Sequence, residues 1–237
     1  MVERQFTLND RIGDIVAALP AAGEVFHRYR IDFCCGGDRP LAKAIEEQGL
    51  DGELVLAELA KAREKAKELT GVKDWRTAPL TDLVDYVVNT HHAYLRRALP
   101  QLSELTTTIL RVHGGDHPEL SKVHRLFHML KMELEQHLIF EEETLFPLVK
   151  EYESTGSRET LTQAVAEIDR VEGEHDTAGD IVKELQDVTD DYQAPADGCE
   201  TYADTYRKLS ELEKDLFEHI HLENNILHPR LRQRLEQ

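Results

Sequence analysis

The chain has 237 residues, 41% of them apolar and 31% charged, and a formal net charge of −18. That length suits one large domain or a main domain with a small companion. So acidic a surface repels nucleic acid and anionic membrane, and neither is expected as a partner. No apolar run approaches the ~18 residues that a membrane span needs. Residues 1–10 lack the apolar core and small-residue cleavage site of a secretory signal. The three cysteines make no disulfide framework, and the adjacent Cys34 and Cys35 could close only a strained ring. These features predict a reduced, cytoplasmic protein.

Helical periodicity dominates, and no convincing strand pattern occurs. Residues 1–70 read as a small domain of short helices. Ile12, Ile15, Val16 and Leu19 form one apolar stripe, ended by Pro20. A second helix passes through Val25, Phe26 and Tyr29 and stops at Cys34-Cys35-Gly36-Gly37, where paired glycines punctuate it. Two more helical runs follow over 41–45 and 54–69, and residues 71–79 read as a linker.

Four long helices are predicted next. The first covers about 79–112, with a bend at Pro100. The second covers about 116–152, with Asp116 as cap and Glu119 as its capping-box partner. The third and fourth cover about 157–190 and 199–235. Their short connections predict an antiparallel up-down four-helix bundle over 80–237. The fold class is therefore all-α, a bundle with a small helical N-terminal domain.

The most informative pattern lies in this bundle. His137-Leu-Ile-Phe-Glu141-Glu-Glu-Thr-Leu145-Phe-Pro147 is repeated as His219-Ile-His-Leu-Glu223-Asn-Asn-Ile-Leu227-His-Pro229. Both read His-x3-Glu-x3-Leu-x-Pro. On a helix, residues four apart lie one turn above each other on one face. Each copy thus aims an imidazole and a carboxylate at one place. His92 and His175 occupy matching positions in the first and third helices, so the two halves look like a duplication.

All six residues interrupt apolar stripes. His137 and Glu141 follow Leu126, Leu130 and Leu134. His219 and Glu223 follow Leu209, Leu212 and Leu216. His92 continues Val84 and Val88, and His175 continues Ile168 and Val171. A buried Glu is costly unless paired or metal-bound. A shared metal pair would compensate two such carboxylates among four histidines. The remaining histidines, at 27, 91, 113, 117, 124, 128, 221 and 228, lie off these stripes or outside the ligand-bearing stretches and are read as non-ligands. Glu142 and Glu143 read as solvated, and Glu133, one turn before His137, is a candidate support for it.

Imidazole with carboxylate suits iron, then manganese; zinc favours a closed tetrahedral set. If each metal takes two histidines and both glutamates bridge, an octahedral ion keeps an open position. Four histidines with two carboxylates carry less anionic charge than ferritin-like sites. That favours the ferrous state and suits binding or reduction of O2 or NO, or release of iron.

These residues resemble hemerythrin-like domains and, over essentially the full length, the iron–sulfur cluster repair di-iron proteins (the repair-of-iron-centres family). The resemblance also rests on Tyr29-Arg-Ile-Asp32-Phe-Cys34-Cys35-Gly36-Gly37, on Lys73-Asp74-Trp75-Arg76-Thr-Ala-Pro79-Leu80, and on Glu174-His175-Asp176-x-Ala178-Gly179. It implies a hemerythrin-like bundle holding two iron ions per chain, oxo- or hydroxo-bridged, on His92, His137, Glu141, His175, His219 and Glu223. It implies damaged iron–sulfur proteins as clients, NO or O2 as small ligands, and a homodimer. It also favours a redox or iron-transfer role for Cys34 and Cys35, which on sequence alone could equally be inert turn residues. Cys199 reads as incidental. His228 departs from the family's usual Phe and bears only on local packing. Iron donation and NO reduction, the latter an enzyme activity, both fit this reading. The alternatives are an O2 or NO carrier or sensor, a ferritin-like oxidase, and a metal-free bundle.

Overall fold

The computed structural model describes residues 5–67 and 73–237. Among these residues every regular element is helical, and the one isolated bridge joins Arg11 to Pro40. The chain is all-α. It divides into two compact units, residues 1–83 with 217–237, and residues 84–216. No helix among the described residues is long and apolar enough to cross a membrane.

The first unit begins with α1 (Ile12–Ala18), α2 (Ala22–Arg28), α3 (Leu41–Gln48) and α4 (Gly52–Ala66). Ile12, Ile15, Phe26, Leu41, Val55 and Leu59 form its core, each with at most 1% of its surface exposed. The element ends follow local chemistry. Gly49, at φ 64°, ends α3 in the left-handed conformation that glycine tolerates. The Asp51 carboxylate caps α4 by accepting the amide N–H groups of Glu53 and Leu54. The predicted end of the fourth short helix at 69 and the start of the linker at 71 lie outside the described residues. Arg230 pins the linker's far end, donating to the carbonyls of Trp75 (2.8 Å) and Ala78 (2.6 Å).

After the linker comes α5 (Leu80–Val87), continued by a π-helical turn at Val88–His92 and by α6 (Ala93–His113). Pro100 lies inside α6, whose helix runs on through it. The departure from α geometry comes earlier, at the π turn, and not at the proline. Next come α7 (Leu120–Phe140), a second π turn (Glu141–Leu145), α8 (Phe146–Thr155), α9 (Arg158–Val188) and α10 (Glu200–Leu222). A third π turn (Glu223–Leu227) leads into α11 (His228–Glu236). Within the second unit α7 packs against both α6 and α9, and α8 also lies on α9. Leu126, Leu130 and Leu134 give α7 its buried face, at about 1.5–3 kcal/mol for each leucine removed from water. Ser157 caps α9 through the amide of Thr160. The expected Asp116 cap does not form. The helix starts at Leu120, and Glu119 accepts instead from His117 Nδ1 (3.1 Å).

The π turns at Glu141–Leu145 and Glu223–Leu227 have a sequence cause. Proline has no amide hydrogen, and its ring collides with the carbonyl four residues earlier. Pro147 and Pro229 therefore disrupt the i→i−4 ladder just ahead of them. The ladder widens: Phe146 N–H donates to Glu141 C=O and His228 N–H to Glu223 C=O, both i→i−5. Such bulges recur at functional sites. Here each opens on a predicted ligand, and the third, at Val88–His92, ends on one.

Candidate metal centre

In the second unit, His92, His137, Glu141 and His175 converge, all with under 5% of their surface exposed. Glu141 Oε2 lies 3.2 Å from His92 Nε2 and 3.3 Å from His137 Nε2. His175 Nε2 lies 3.1 Å from His137 Nε2. His137, Glu141 and His175 each offer a donor atom, all within 4.8 Å of one another. The helices explain this placement. Glu141 still follows His137 by one α turn, since its amide donates to the His137 carbonyl. The π widening begins only after it.

The outer nitrogens decide what the inner ones can do. His92 Nδ1 lies 2.7 Å from Glu142 Oε1, and Arg96 Nη2 donates to both oxygens of that carboxylate at 2.7 Å. His137 Nδ1 lies 3.0 Å from Glu174 Oε2, whose other oxygen accepts from Arg170 Nε at 2.9 Å. A carboxylate accepts only, so each Nδ1 donates, and the neutral tautomer leaves the Nε2 lone pair facing Glu141. Inward lone pairs from two imidazoles beside a buried carboxylate are the donor chemistry of a divalent cation site. The hydrogen bond from His137 and then that from Arg170 hold Glu174 below the usual carboxylate range, against an opposing burial effect. For Glu142 burial raises the pKa, but the bonds from Arg96 and His92 outweigh it and the net shift is downward.

In the first unit, His219 Nε2 lies 3.2 Å from Glu223 Oε1, both side chains fully buried. All six sequence-predicted ligands are thus buried, four gathered in one unit and two in the other. The remaining histidines do other things. His91 Nδ1 meets Asp215 Oδ1 at 3.0 Å. The His124 and His128 rings pack against each other tilted by 49°, with centroids 4.2 Å apart. His221 packs edge-on to Phe33 with its pKa pushed down to about 4 by burial. His228 is buried, as a packing residue. Glu142 is not the solvated residue expected but the anchor of His92. The anchor of His137 is Glu174 on α9, where Glu133 on its own helix was the candidate. Helical periodicity carries no signal for either, because each partner comes from a different helix.

The cysteine loop, also in the first unit, folds around Asp32. Its Oδ1 accepts from the amides of Cys34 (3.1 Å), Cys35 (3.0 Å) and Gly36 (3.1 Å), and from the Cys34 thiol (3.2 Å). Cys34 Sγ and Cys35 Sγ are 3.6 Å apart. Cys34 is buried and Cys35 partly exposed. Burial, then the contacts with Cys35 and Asp32, push the Cys34 thiol well above its ordinary pKa. Asp32, Cys34 and Cys35 also form a close-set donor group. Cys199, just ahead of α10, is exposed and lies 3.1 Å from His113 Nε2, which lowers its pKa to about 7.

Comparison with known proteins identifies the family. The family model described as the hemerythrin HHE cation binding domain matches residues 83–231, a span containing all six buried candidate ligands. A domain of unknown function (DUF542) matches residues 8–63, which contain the cysteine loop. Over 220 residues the chain is 38% identical to the iron-sulfur cluster repair protein YtfE of Escherichia coli O157:H7, covering 92% of this chain and 94% of that protein. The YtfE proteins of Shigella boydii serotype 4 and Citrobacter koseri match with the same identity and coverage.

Proposed function

The chain belongs to the hemerythrin HHE cation binding family, and on that premise we propose that it is a di-iron protein that supports repair of iron–sulfur clusters damaged by oxidative and nitrosative stress. One observation carries this reading: a buried Glu141 carboxylate shared by the Nε2 atoms of His92 and His137, with His175 beside them. In the proposal His219 and Glu223 complete the set, and the six residues would hold two iron ions, oxo- or hydroxo-bridged. Residues 80–237 then form one bundle domain, 71–79 a linker and 1–70 a cysteine-bearing domain.

Bound there, iron would supply reversible one-electron chemistry and open coordination for NO or O2. The protein's own groups do the rest. Glu142 and Glu174 keep a proton on Nδ1 of His92 and His137, so both rings present a lone pair inward. Arg96 and Arg170 hold those carboxylates in place. Leu130, Leu134 and Phe146, all buried, exclude water from neighbouring positions. Cys35, partly exposed beside a buried Cys34, is the thiol placed to exchange electrons or iron with a client, and Cys34 its partner.

The clients are damaged iron–sulfur proteins, and the relatives' name supports this. A reduced cytosol suits the vicinal thiols. A homodimer is part of the proposal. A plain O2 carrier or sensor leaves the Asp32-centred cysteine loop without a role, so repair is favoured. Metal analysis with an optical spectrum, before and after NO is added to the reduced protein, tests the reading. Two irons per chain and an NO-dependent spectral change are expected. Absence of iron from protein made under iron-replete conditions overturns it, as does undiminished iron in Glu141→Gln and Glu223→Gln.

A further inference from the structure

The Asn224-Asn225 pair stands where the first copy of the motif has Glu142-Glu143, and Asn225 has a distinct setting. It lies in the π turn that opens on Glu223. Its side-chain amide donates both hydrogens to the cysteine loop, to the carbonyls of Phe33 (3.2 Å) and Cys34 (2.9 Å). Its Oδ1 sits against Gly13 and Gly37, and a β-carbon at either glycine would collide with it. Those two glycines are themselves joined by Gly13 N–H to Gly37 C=O at 2.7 Å. The amide of Asn225 is therefore gripped between α1 and the loop that carries Cys34 and Cys35. Around it His221 Nδ1 approaches the Phe33 carbonyl (3.4 Å), and the Phe33 ring packs edge-on to Phe217 and His221. Loop and π turn form one packed body, and Asn225 is its polar bolt.

We infer that Asn225 is a positioning residue that couples the Cys34–Cys35 loop to the placement of Glu223. Opening the loop to expose the thiols breaks two hydrogen bonds to a side chain two residues from a metal ligand. Pro229 already interrupts the i→i−4 ladder there, so the backbone that carries Glu223 has fewer regular helical bonds to hold it once the tether is lost. Coupling of this kind is reciprocal. Metal held by Glu223 protects the thiols, and modified thiols weaken the hold on metal. The inference rests on the di-iron reading for its second half and on the tether alone for its first.

The test measures iodoacetamide labelling of each cysteine, resolved by mass spectrometry, in apo and iron-loaded protein. Wild type is compared with Asn225→Ala and with the isosteric Asn225→Asp, which loses both donors. Circular dichroism confirms that each is folded, and Cys199, outside the loop, serves as internal control. Each net hydrogen bond shifts an equilibrium roughly fivefold, so Cys34 labelling in the apo variants should rise about 10-fold or more, with Cys199 unchanged. Iron loading should slow Cys34 labelling in wild type and leave it unaffected in the variants. Equal apo rates in wild type and both variants overturn the tether. Equal iron protection in wild type and variants overturns the coupling. If wild type binds no iron, the di-iron reading fails with the coupling built on it, while the apo rates still decide the tether.

Discussion

Replacing Glu142 tests how far the reach of the candidate metal centre extends beyond its proposed ligands. Its carboxylate accepts one hydrogen bond from the buried His92 and two from Arg96. The bond to a charged group at the buried imidazole is worth about 1.5–3 kcal/mol. The Arg96 side chain is 54% exposed, so its share is about 1 kcal/mol at most. Glu142→Gln keeps an acceptor for His92 Nδ1 and loses the charge, which removes about half the bond's strength. Metal-free Glu142→Gln should therefore unfold about 2 kcal/mol more easily in urea. Arg96→Ala should cost no more than about 1 kcal/mol. Loss of a partner behind a ligating histidine weakens metal binding ~10–100-fold. Chelator competition on the iron-loaded protein should place Glu142→Gln near the lower bound and Glu142→Ala nearer the upper. If Glu142→Ala holds iron within about twofold of wild type, the carboxylate does not set the imidazole's tautomer, and the argument from Nδ1 to Nε2 fails.

Four further outcomes are expected. Cys199 should react fastest with iodoacetamide of the three cysteines, its rate half-maximal near pH 7, because His113 stabilises the thiolate; His113→Ala should move that midpoint upward, and an unmoved midpoint would exclude the pairing. Glu174 has a folded pKa below its unfolded value, so its contribution to stability is present above pH ~4.5 and fades as pH falls through the folded value. Urea titrations of metal-free Glu174→Gln should accordingly show a shallower loss of stability as pH falls below ~4.5. Gly37→Ala forces a β-carbon against Asn225 and should cost about 1–3 kcal/mol by overpacking, read as a lowered thermal midpoint. Arg230→Ala leaves the Trp75 and Ala78 carbonyls without their donor and should cost about 2 kcal/mol or more, measured in the same way.

The candidate ligands could be read from the chain because each sits where an apolar residue was due. His137 and Glu141 interrupt a run of leucines at helical spacing, and burial then demands a compensating cation. The groups that orient them could not be read that way. Glu142 reaches His92 and Glu174 reaches His137 across helix–helix contacts, and local periodicity has no term for a partner on another helix. Asn225 is similar: two asparagines after a candidate ligand look like polar surface until the Phe33 and Cys34 carbonyls are placed beside them. The π turns were half visible, since Leu-x-Pro marks a broken ladder without saying whether the helix kinks, ends or widens. Pro100 carries the same signal in α6, and there the helix simply continues.

The widened turn between Glu141 and Phe146 amounts to one residue more than a plain α-helix would accommodate in the same rise. Because the bulge absorbs that extra residue, α8 follows α7 without a change of facing; one residue gained or lost in the regular helix on either side would instead rotate everything beyond it by about 100°. Val149, buried on α8, would then swing towards solvent, and a neighbour of different polarity would take its place inside. Single-residue insertions and deletions in those regular stretches should therefore be selected against, and where aligned relatives of this chain differ in length by one residue, the gap should fall inside the widened turn.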